Sequence, residues 1–188
     1  ALKFAQEHAA VVVVDKDPEG AEHTAELLGE IGAASAWFES DVSDNNQARL
    51  VAEQIRKQFG GIDVLVTAAA ISVGKTIPDT SPDEWDAVFD VNVKGTYLWI
   101  RAAIPLMEQN GGSIIALASQ LAISGGVSNA AYIASKGAIV SLCRTAANDH
   151  ASDGIRGNCI LPGATEPPRL GRSFARFDEP APYVERSL

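Results

Sequence analysis

Positive charge is scarce in this sequence. The 188 residues include 15 Lys and Arg against 24 Asp and Glu, which gives a formal net charge of −9 at pH 7. A protein that binds nucleic acid or an anionic membrane needs a basic stripe to meet the phosphates, and the sequence has none. We therefore expect neither nucleic acid nor a membrane among the partners of this protein.

Cysteines and long apolar runs are also rare. The only cysteines are Cys143 and Cys159, and they lack a Cys-x-x-Cys spacing. Such isolated cysteines are typical of reduced thiols in a cytosolic protein. No apolar stretch reaches the ~18 residues that a membrane span requires, and the first residues show no signal-peptide pattern. The sequence thus predicts a cytoplasmic protein.

Metal-ligand patterns are missing as well. The three histidines, His8, His23 and His150, have no neighbouring ligand residues at a metal-binding spacing, and we assign each to a solvated helix face. The composition, 46% hydrophobic and 21% charged, is ordinary for a soluble globular protein. A chain of this length favours one domain spanning residues 1–188, without a metal site.

Among the features that are present, residues 129–141 carry the clearest chemical signal. Tyr132 and Lys136 are four positions apart in an alanine-rich segment, which favours a helix. Residues at i and i+4 lie on the same helix face, so the phenol and the ammonium point the same way. A nearby cation favours the ionised form of a phenol, as a tyrosine needs for proton exchange near neutral pH. This spacing alone is also compatible with a surface pair that shares a face by chance.

Two polar residues upstream strengthen the catalytic interpretation. Ser119 ends the apolar run 113–119, which is typical of a buried parallel strand. Active sites in open α/β sheets form beyond the carboxyl ends of the strands, and loop 120–128 can bring Tyr132 back over Ser119. Asn92 falls on a helical apolar stripe with Trp85, Val88 and Phe89. A buried amide without partners costs about 1–3 kcal/mol, so Asn92 should find partners.

In this order and in these contexts, Asn92, Ser119, Tyr132 and Lys136 resemble the catalytic tetrad of the short-chain dehydrogenase/reductase family, in the branch without an extended C-terminal substrate domain. The resemblance covers nearly the whole chain. It implies an oxidoreductase that transfers hydride reversibly between a secondary alcohol or ketone and NAD(P). Tyr132 would be the general acid/base, Lys136 its partner and a ligand of the nicotinamide ribose. Ser119 would orient the substrate oxygen, and Asn92 would hold a water of a proton relay.

The resemblance and the hydrophobic patterns together predict an α/β fold: a Rossmann-like, doubly wound parallel sheet in three layers. The family's first strand with its Gly-rich turn, and its last strand, are not found in this sequence, so we expect a domain that is incomplete at both ends. The predicted strands are 11–14, 33–39, 62–66 (the central strand), 113–119 and 155–161. The predicted helices are 17–32, 44–59, 81–109 and 129–152.

The resemblance also assigns cofactor contacts. Asp15 ends the first predicted strand, where an acid accepts hydrogen bonds from the adenosine ribose and repels a 2′-phosphate. NAD is therefore expected, with NADP disfavoured, although Lys16 could soften the preference. Asp41 and Val42 correspond to an adenine-contacting pair, but Asp41 could equally be a turn acid. Ala69 lies where the family backbone approaches the cofactor, along with Tyr132 and Lys136.

The segment after the last predicted strand resembles the nicotinamide-lining turn of the family. Pro162 and Gly163 match its start, and Thr165 comes two positions early for a carboxamide contact. Residues 165–188 correspond to a substrate lid. The expected pocket residues are Gln120, Leu121, Ile123, Val127, Arg169, Leu170, Phe174 and Phe177, which suggest a moderately apolar alcohol.

Partners and rival functions follow from the same resemblance. A small-molecule alcohol or ketone is the expected substrate, and the family's use of the Tyr132 helix and its predecessor for subunit contacts implies a homodimer or homotetramer. An epimerase or dehydratase of the extended branch is one alternative, since those enzymes share Tyr-x-x-x-Lys. A non-catalytic dinucleotide-sensing module is the other, and a broken tetrad would be its mark.

Overall fold

The structure, a computed structural model, describes residues 1–164. The predicted lid 165–188, Thr165 and the four lid residues assigned to the pocket lie outside the described residues. The strands are β1 (Val11–Asp15), β2 (Ser35–Glu39), β3 (Val64–Thr67), β4 (Gly112–Leu117) and β5 (Ile155–Ile160). The helices are α1 (Leu2–Gln6), α2 (Pro18–Glu30), α3 (Asn45–Phe59), α4 (Pro82–Phe89), α5 (Gly95–Met107), α6 (Leu121–Ser124) and α7 (Ala130–Asp149), with a π-helical turn at Asp90–Lys94 and a 3₁₀ turn at Ala151–Asp153.

All strand pairs are parallel, which confirms the predicted α/β fold class. β1 pairs with β2 in a two-stranded sheet, and β3, β4 and β5 form a three-stranded sheet in that order. The sequence predicts β3 as the central strand, but in the described part of the chain it is an edge strand. Its two faces also differ, since Leu65 is buried whereas Val64 and Val66 are 41% and 42% exposed. An apolar run shows that a strand can be buried, not that both its edges are paired.

The main core lies between the strands and helices α3, α5 and α7. Ile114 of β4 and Ile155 of β5 are buried against Leu98, Trp99 and other residues of these helices. A second cluster joins Ala116 and Ala118 to the inner face of α7. α2 packs separately on β1 and β2, through Ala21 and Leu28. The core therefore holds α7 firmly beside β4 and β5, whose carboxyl ends carry the candidate site.

The predicted helix 81–109 is interrupted in its middle. The chain forms α4, then the π-helical turn, then α5. Of the predicted apolar stripe, Val88 in α4 and Asn92 in the π-helical turn are fully buried. Trp85, assigned to the core stripe, is 38% exposed and stacks on Phe89 with ring centroids 4.8 Å apart. Ile31, which lies within the predicted helix 17–32, is 48% exposed because it follows the last residue of α2.

Candidate active site

Tyr132 and Lys136 project from the first turns of α7. The Lys136 Nζ lies 5.5 Å from the centroid of the Tyr132 ring, as their i, i+4 spacing predicts. Lys136 is 3% exposed, and its Nζ donates a hydrogen bond to the carbonyl of Leu117 at 2.6 Å. Leu117 is the last residue of β4, so this bond anchors the ammonium at the carboxyl edge of the sheet.

Ser119 lies two residues beyond the end of β4, at the same edge. Its side chain is 8% exposed, and its Oγ accepts a hydrogen bond from the Leu121 amide at 3.2 Å. The amide of Gln120, directly after Ser119, donates to the carbonyl of Pro162 at 3.0 Å. This bond joins the loop after β4 to the segment after β5. The predicted loop 120–128 contains the short helix α6, which begins directly after Ser119 and Gln120.

Asn92 is fully buried inside the π-helical turn and has partners for its whole amide, as the sequence predicts. Its Oδ1 accepts from the Ile71 amide at 2.8 Å, and its Nδ2 donates to the Ile71 carbonyl at 3.0 Å and to Ser135 Oγ at 2.9 Å. Its own carbonyl accepts from Thr96 Oγ1 at 2.7 Å. Asn92 therefore joins the loop after β3 to α7.

Ser135 is a polar residue of this cluster that the sequence does not single out. It is completely buried, and its Oγ donates to the Tyr132 carbonyl at 2.7 Å while accepting from Asn92. Its position three residues after Tyr132 places it next to that carbonyl in a helix. The signal available in the sequence was a serine directly before Lys136, three residues after Tyr132 in the predicted helix.

The N-terminus of α7 is held by a second set of contacts that the sequence does not predict. Ser72 Oγ donates to Asn129 Oδ1 at 2.8 Å, and the Ala130 amide donates to the Lys75 carbonyl at 3.3 Å. Ser128, just upstream, has a positive φ of 50°, which is uncommon outside glycine. The loop after β3 thus contacts α7 at Ala130, the first residue of the helix, and again through Asn92, which bonds Ser135.

The residues assigned to the adenosine end lie at the ends of β1 and β2. Asp15 is exposed, and its Oδ1 accepts from the Asp17 amide at 3.1 Å. Asp17 occupies the N-cap position of α2 but makes no side-chain cap hydrogen bond. Glu39, the parallel-strand partner of Asp15, is also exposed. Two carboxylates therefore stand side by side at this edge.

Asp41 and Val42 form a structured turn next to these carboxylates. Hydrogen bonds from Ser43 Oγ at 2.6 Å and from the Ser43 amide at 2.8 Å stabilise the ionised side chain of Asp41 and lower its pKa. These bonds are those expected of a turn acid. Val42 packs against Gly95, where an added Cβ would lie 2.8 Å from Val42 Cγ2.

The small residues after β3 have ordinary backbone conformations. Ala70 would be strained if its backbone were left-handed. Its φ is not positive, since His8 and Ser128 are the only non-glycine residues of the described chain with positive φ. Ala70 therefore carries no such strain. Ala69 is exposed at the carboxyl edge. Thr67, at the end of β3, has a buried hydroxyl without a hydrogen-bond partner in the described chain.

The described thiols and histidines form no second site. Cys143 and Cys159 are free thiols whose burial raises their pKa, which makes them poor nucleophiles and metal ligands. His150 is half-buried beside Asp153, with 2.9 Å between its Nδ1 and the Asp153 Oδ2, rather than solvated as expected.

Within residues 1–164, no group of His, Cys, Asp and Glu could hold a metal ion. No helix of these residues is long and apolar enough to cross a membrane.

The carboxyl edge has the chemistry that a dinucleotide requires. The carboxylates of Asp15 and Glu39 can accept hydrogen bonds from ribose hydroxyls, and small side chains at Ala68 and Ala69 leave the exposed backbone accessible. The Lys136 ammonium lies at the end of β4, and the Thr67 hydroxyl, which has no partner among the described residues, lies at the end of β3. The residues present therefore fit the ribose groups of a nicotinamide dinucleotide.

The whole chain matches a known protein family. The profile described as Enoyl-(Acyl carrier protein) reductase matches residues 1–187. A 3beta-hydroxysteroid dehydrogenase from Mediterraneibacter gnavus is 32% identical over 176 residues, which are 93% of this chain and 64% of the relative. A (3R)-3-hydroxyacyl-CoA dehydrogenase from Homo sapiens is 37% identical over 172 residues, 86% of this chain and 66% of the relative. The chain thus spans somewhat less than two thirds of the length of these relatives.

Solved structures agree with the sequence match. A 3-ketoacyl-ACP reductase from Sinorhizobium meliloti 1021 superimposes with a TM-score of 0.85 at 30% identity, covering 89% of this chain and 67% of that protein. A putative short-chain dehydrogenase/reductase from Burkholderia xenovorans gives a TM-score of 0.92 at 24% identity, covering 99% and 72%. The second comparison supports the fold.

Proposed function

Because the chain belongs to the short-chain dehydrogenase/reductase family, we propose that it is an oxidoreductase for reversible hydride transfer between a secondary alcohol or ketone and a nicotinamide cofactor. The observation that carries this proposal is the convergence of the four expected residues at the carboxyl edge of the sheet. Lys136 contacts Tyr132 and is bonded to the end of β4, next to Ser119, and Asn92 reaches Tyr132 through one buried hydroxyl. These contacts join Asn92, Tyr132 and Lys136, and Ser119 follows β4 at the same edge.

Tyr132 is the proposed proton donor and acceptor for the carbinol oxygen of the substrate. The nicotinamide ring supplies the hydride chemistry when the cofactor is bound. The Tyr132 ring lies beside the buried Lys136 side chain, and general acid/base catalysis by a positioned side chain contributes about 10²–10⁴-fold. The Ser119 hydroxyl, almost buried at the same edge, is the proposed donor that orients the substrate oxygen.

Lys136 and Asn92 have supporting roles in the proposal. Lys136 holds a positive charge beside Tyr132 and would bond the nicotinamide ribose. Asn92 would hold a relay water that connects Lys136 with solvent. Both amide hydrogens of Asn92 are donated to Ile71 and Ser135, so any such water would bind an oxygen atom of this residue.

NAD is the proposed cofactor, with Asp15 on the adenosine ribose, Asp41 and Val42 near the adenine, and Ala69, Pro162, Gly163 and Thr165 along the remaining length. Support for NAD over NADP comes from the paired carboxylates of Asp15 and Glu39, because a 2′-phosphate would meet two negative charges. Lys16, a cation next to Asp15 in the sequence, is exposed just beyond the end of β1.

The remaining parts of the proposal concern organisation. Residues 1–188 form one dinucleotide-binding and catalytic domain, with 165–188 as its substrate lid and a moderately apolar alcohol or ketone as substrate. The protein is cytoplasmic, which agrees with its two free thiols. It forms a homodimer or homotetramer, supported by an apolar cavity of about 390 Å³ on the outer face of α4, α5 and α7. That cavity is lined by Phe89, Asp90, Val93, Lys94, Tyr97 and Leu142.

The test is the variant Tyr132→Phe, assayed in the full chain against a panel of secondary alcohols with NAD. Loss of the phenolic hydroxyl should lower kcat by at least about 10²-fold while NAD binding is largely retained, since the ring and its packing are kept. Tyr97→Phe, which removes the hydroxyl of an exposed tyrosine on α5, is the control and should keep full activity. Near-normal turnover by Tyr132→Phe would refute the proposed proton transfer. NAD binding without turnover of any alcohol in the wild type would favour the dinucleotide-sensing alternative.

A further inference from the structure

Ser135 joins two members of the candidate tetrad through one hydroxyl. Its Oγ accepts a hydrogen bond from Asn92 Nδ2 at 2.9 Å and donates to the Tyr132 carbonyl at 2.7 Å. Asn92 and Ser135 are both 0% exposed, so solvent cannot replace either bond. The contact spans 43 positions of sequence, from the π-helical turn to α7.

The direction of every hydrogen in this chain of bonds is determined by the protein. The Ile71 amide must donate and the Ile71 carbonyl must accept, which orients the Asn92 amide with Oδ1 on the first and Nδ2 on the second. The remaining Nδ2 hydrogen then points at Ser135. A serine hydroxyl has a single hydrogen, and because the carbonyl of Tyr132 takes it, a lone pair is left for Asn92.

We propose that Ser135 is a positioning residue for the reaction: it ties the backbone of Tyr132 to the Asn92–Ile71 contact and so fixes where the phenol stands at the carboxyl edge. This inference rests on the proposed function. Ile71 directly follows the small residues Ala68–Ala70, which border the proposed cofactor position. The bond chain therefore sets the distance between the proton donor on α7 and the loop after β3, two segments that Ser72 and Asn129 also join near the start of α7.

Positioning of this kind affects turnover more than binding. The Ser135 hydroxyl belongs to the buried side of α7 and contacts neither the Tyr132 phenol nor the Lys136 ammonium among the described hydrogen bonds. Its loss would leave one amide hydrogen of Asn92 without an acceptor and allow the first turn of α7 to shift. Small displacements of a reacting group can lower the rate by about 10²-fold without removing any catalytic side chain.

The experiment compares Ser135→Ala with Ser141→Ala, an exposed serine on the same helix, in the full chain. We expect Ser135→Ala to lower kcat by about 10- to 100-fold while the dissociation constant for NAD changes by less than about threefold. Ser141→Ala should match the wild type in both. A merely structural role would lower the fraction of protein that binds NAD and leave kcat per bound site unchanged, and that result would overturn the inference.

A double-mutant cycle identifies the route through which Ser135 acts. Asn92→Ala and Ser135→Ala break the same link, so the double variant should be no slower than Asn92→Ala alone by more than about twofold. If kcat of the double variant were lowered by the product of the two single-variant factors, the inference would be overturned. If Ser135→Ala does not fold, Ser135→Cys keeps a similar volume with a weak donor and acceptor. An intermediate kcat then supports the positioning role, and a kcat equal to that of the wild type contradicts it.

The two proposals fail separately. If Tyr132→Phe is active, the proposed function is wrong whatever Ser135→Ala does. If Tyr132→Phe is inactive and Ser135→Ala has the kcat of the wild type, the function stands and the positioning role is wrong.

Discussion

Asp15 and Glu39 are directly paired across β1 and β2, each at the carboxyl end of its strand. Because paired residues of neighbouring strands project from the same face of a sheet, their carboxylates point the same way, with the strands about 4.8 Å apart. Both side chains are exposed at the edge where the adenosine end of the cofactor is proposed to bind. This pair, rather than Asp15 alone, bears on the choice between NAD and NADP.

The first prediction is that the protein binds NAD more tightly than NADP and that Glu39→Gln narrows the difference. Unit charges 4 Å apart interact by about 1 kcal/mol in water, so removing one charge should favour NADP by about three- to tenfold relative to NAD. Glu39 is more informative than Asp15 because Asp15 is also the proposed ribose ligand. Titration calorimetry at low ionic strength, where exposed charges are least screened, measures both affinities.

Glu30→Gln is the matched control for this prediction. α2 leads from the carboxyl end of β1 to the amino end of β2, so Glu30, its last residue, lies at the opposite edge of the sheet. The charge change is the same, and the ratio of the two affinities should stay that of the wild type. A ratio that shifts equally in both variants would show that net charge, and not the Asp15–Glu39 pair, sets the preference.

The second prediction concerns self-association through the cavity between α4, α5 and α7. Tyr97, 46% exposed in that lining, should contact the second copy, and Tyr97→Glu would then bury a charge in an apolar interface. Light scattering should report a dimer or tetramer for the wild type and a smaller species for Tyr97→Glu. Ile31→Glu, on an equally exposed residue beyond α2, should leave the mass unchanged. A monomeric wild type would contradict the proposal.

Local patterns in the sequence predicted the parts of the site that depend on one element. The spacing of Tyr132 and Lys136 was enough to place them together, since helix geometry alone brings i and i+4 within reach. The apolar stripe correctly predicted that Asn92 is buried. The same stripe was wrong for Trp85, because periodicity describes a face of a helix and not how far its packing partner extends.

Contacts between distant segments were not predictable in the same way. The acceptor for the second Asn92 hydrogen is Ser135, 43 positions away, and the Asn129 side chain bonds Ser72, 57 positions away. Neither pair has a local sequence signature. The π-helical turn that carries Asn92 was also missed, because its residues are compatible with an ordinary α-helix and only the packing around the turn distinguishes the two.

The third prediction tests the packing that supports the proposed adenine turn. Gly95 is the buried first residue of α5, and a Cβ there would lie 2.8 Å from Val42 Cγ2 and 3.2 Å from Val42 Cβ. Gly95→Ala should therefore lower the free energy of unfolding by about 1–3 kcal/mol, because overpacking outweighs the higher helix propensity of alanine. Urea denaturation followed by circular dichroism measures the change.

Gly29→Ala separates packing from helix propensity. Gly29 lies in α2, where an added Cβ would meet nothing within 4 Å, so this variant should raise the free energy of unfolding by up to about 1 kcal/mol. The two substitutions are chemically identical and both lie in helices, so opposite signs would isolate the contact with Val42. If Gly95→Ala were as stable as Gly29→Ala, Val42 would have room to move, and the turn formed by Asp41 and Val42 would be too loosely packed to define an adenine site.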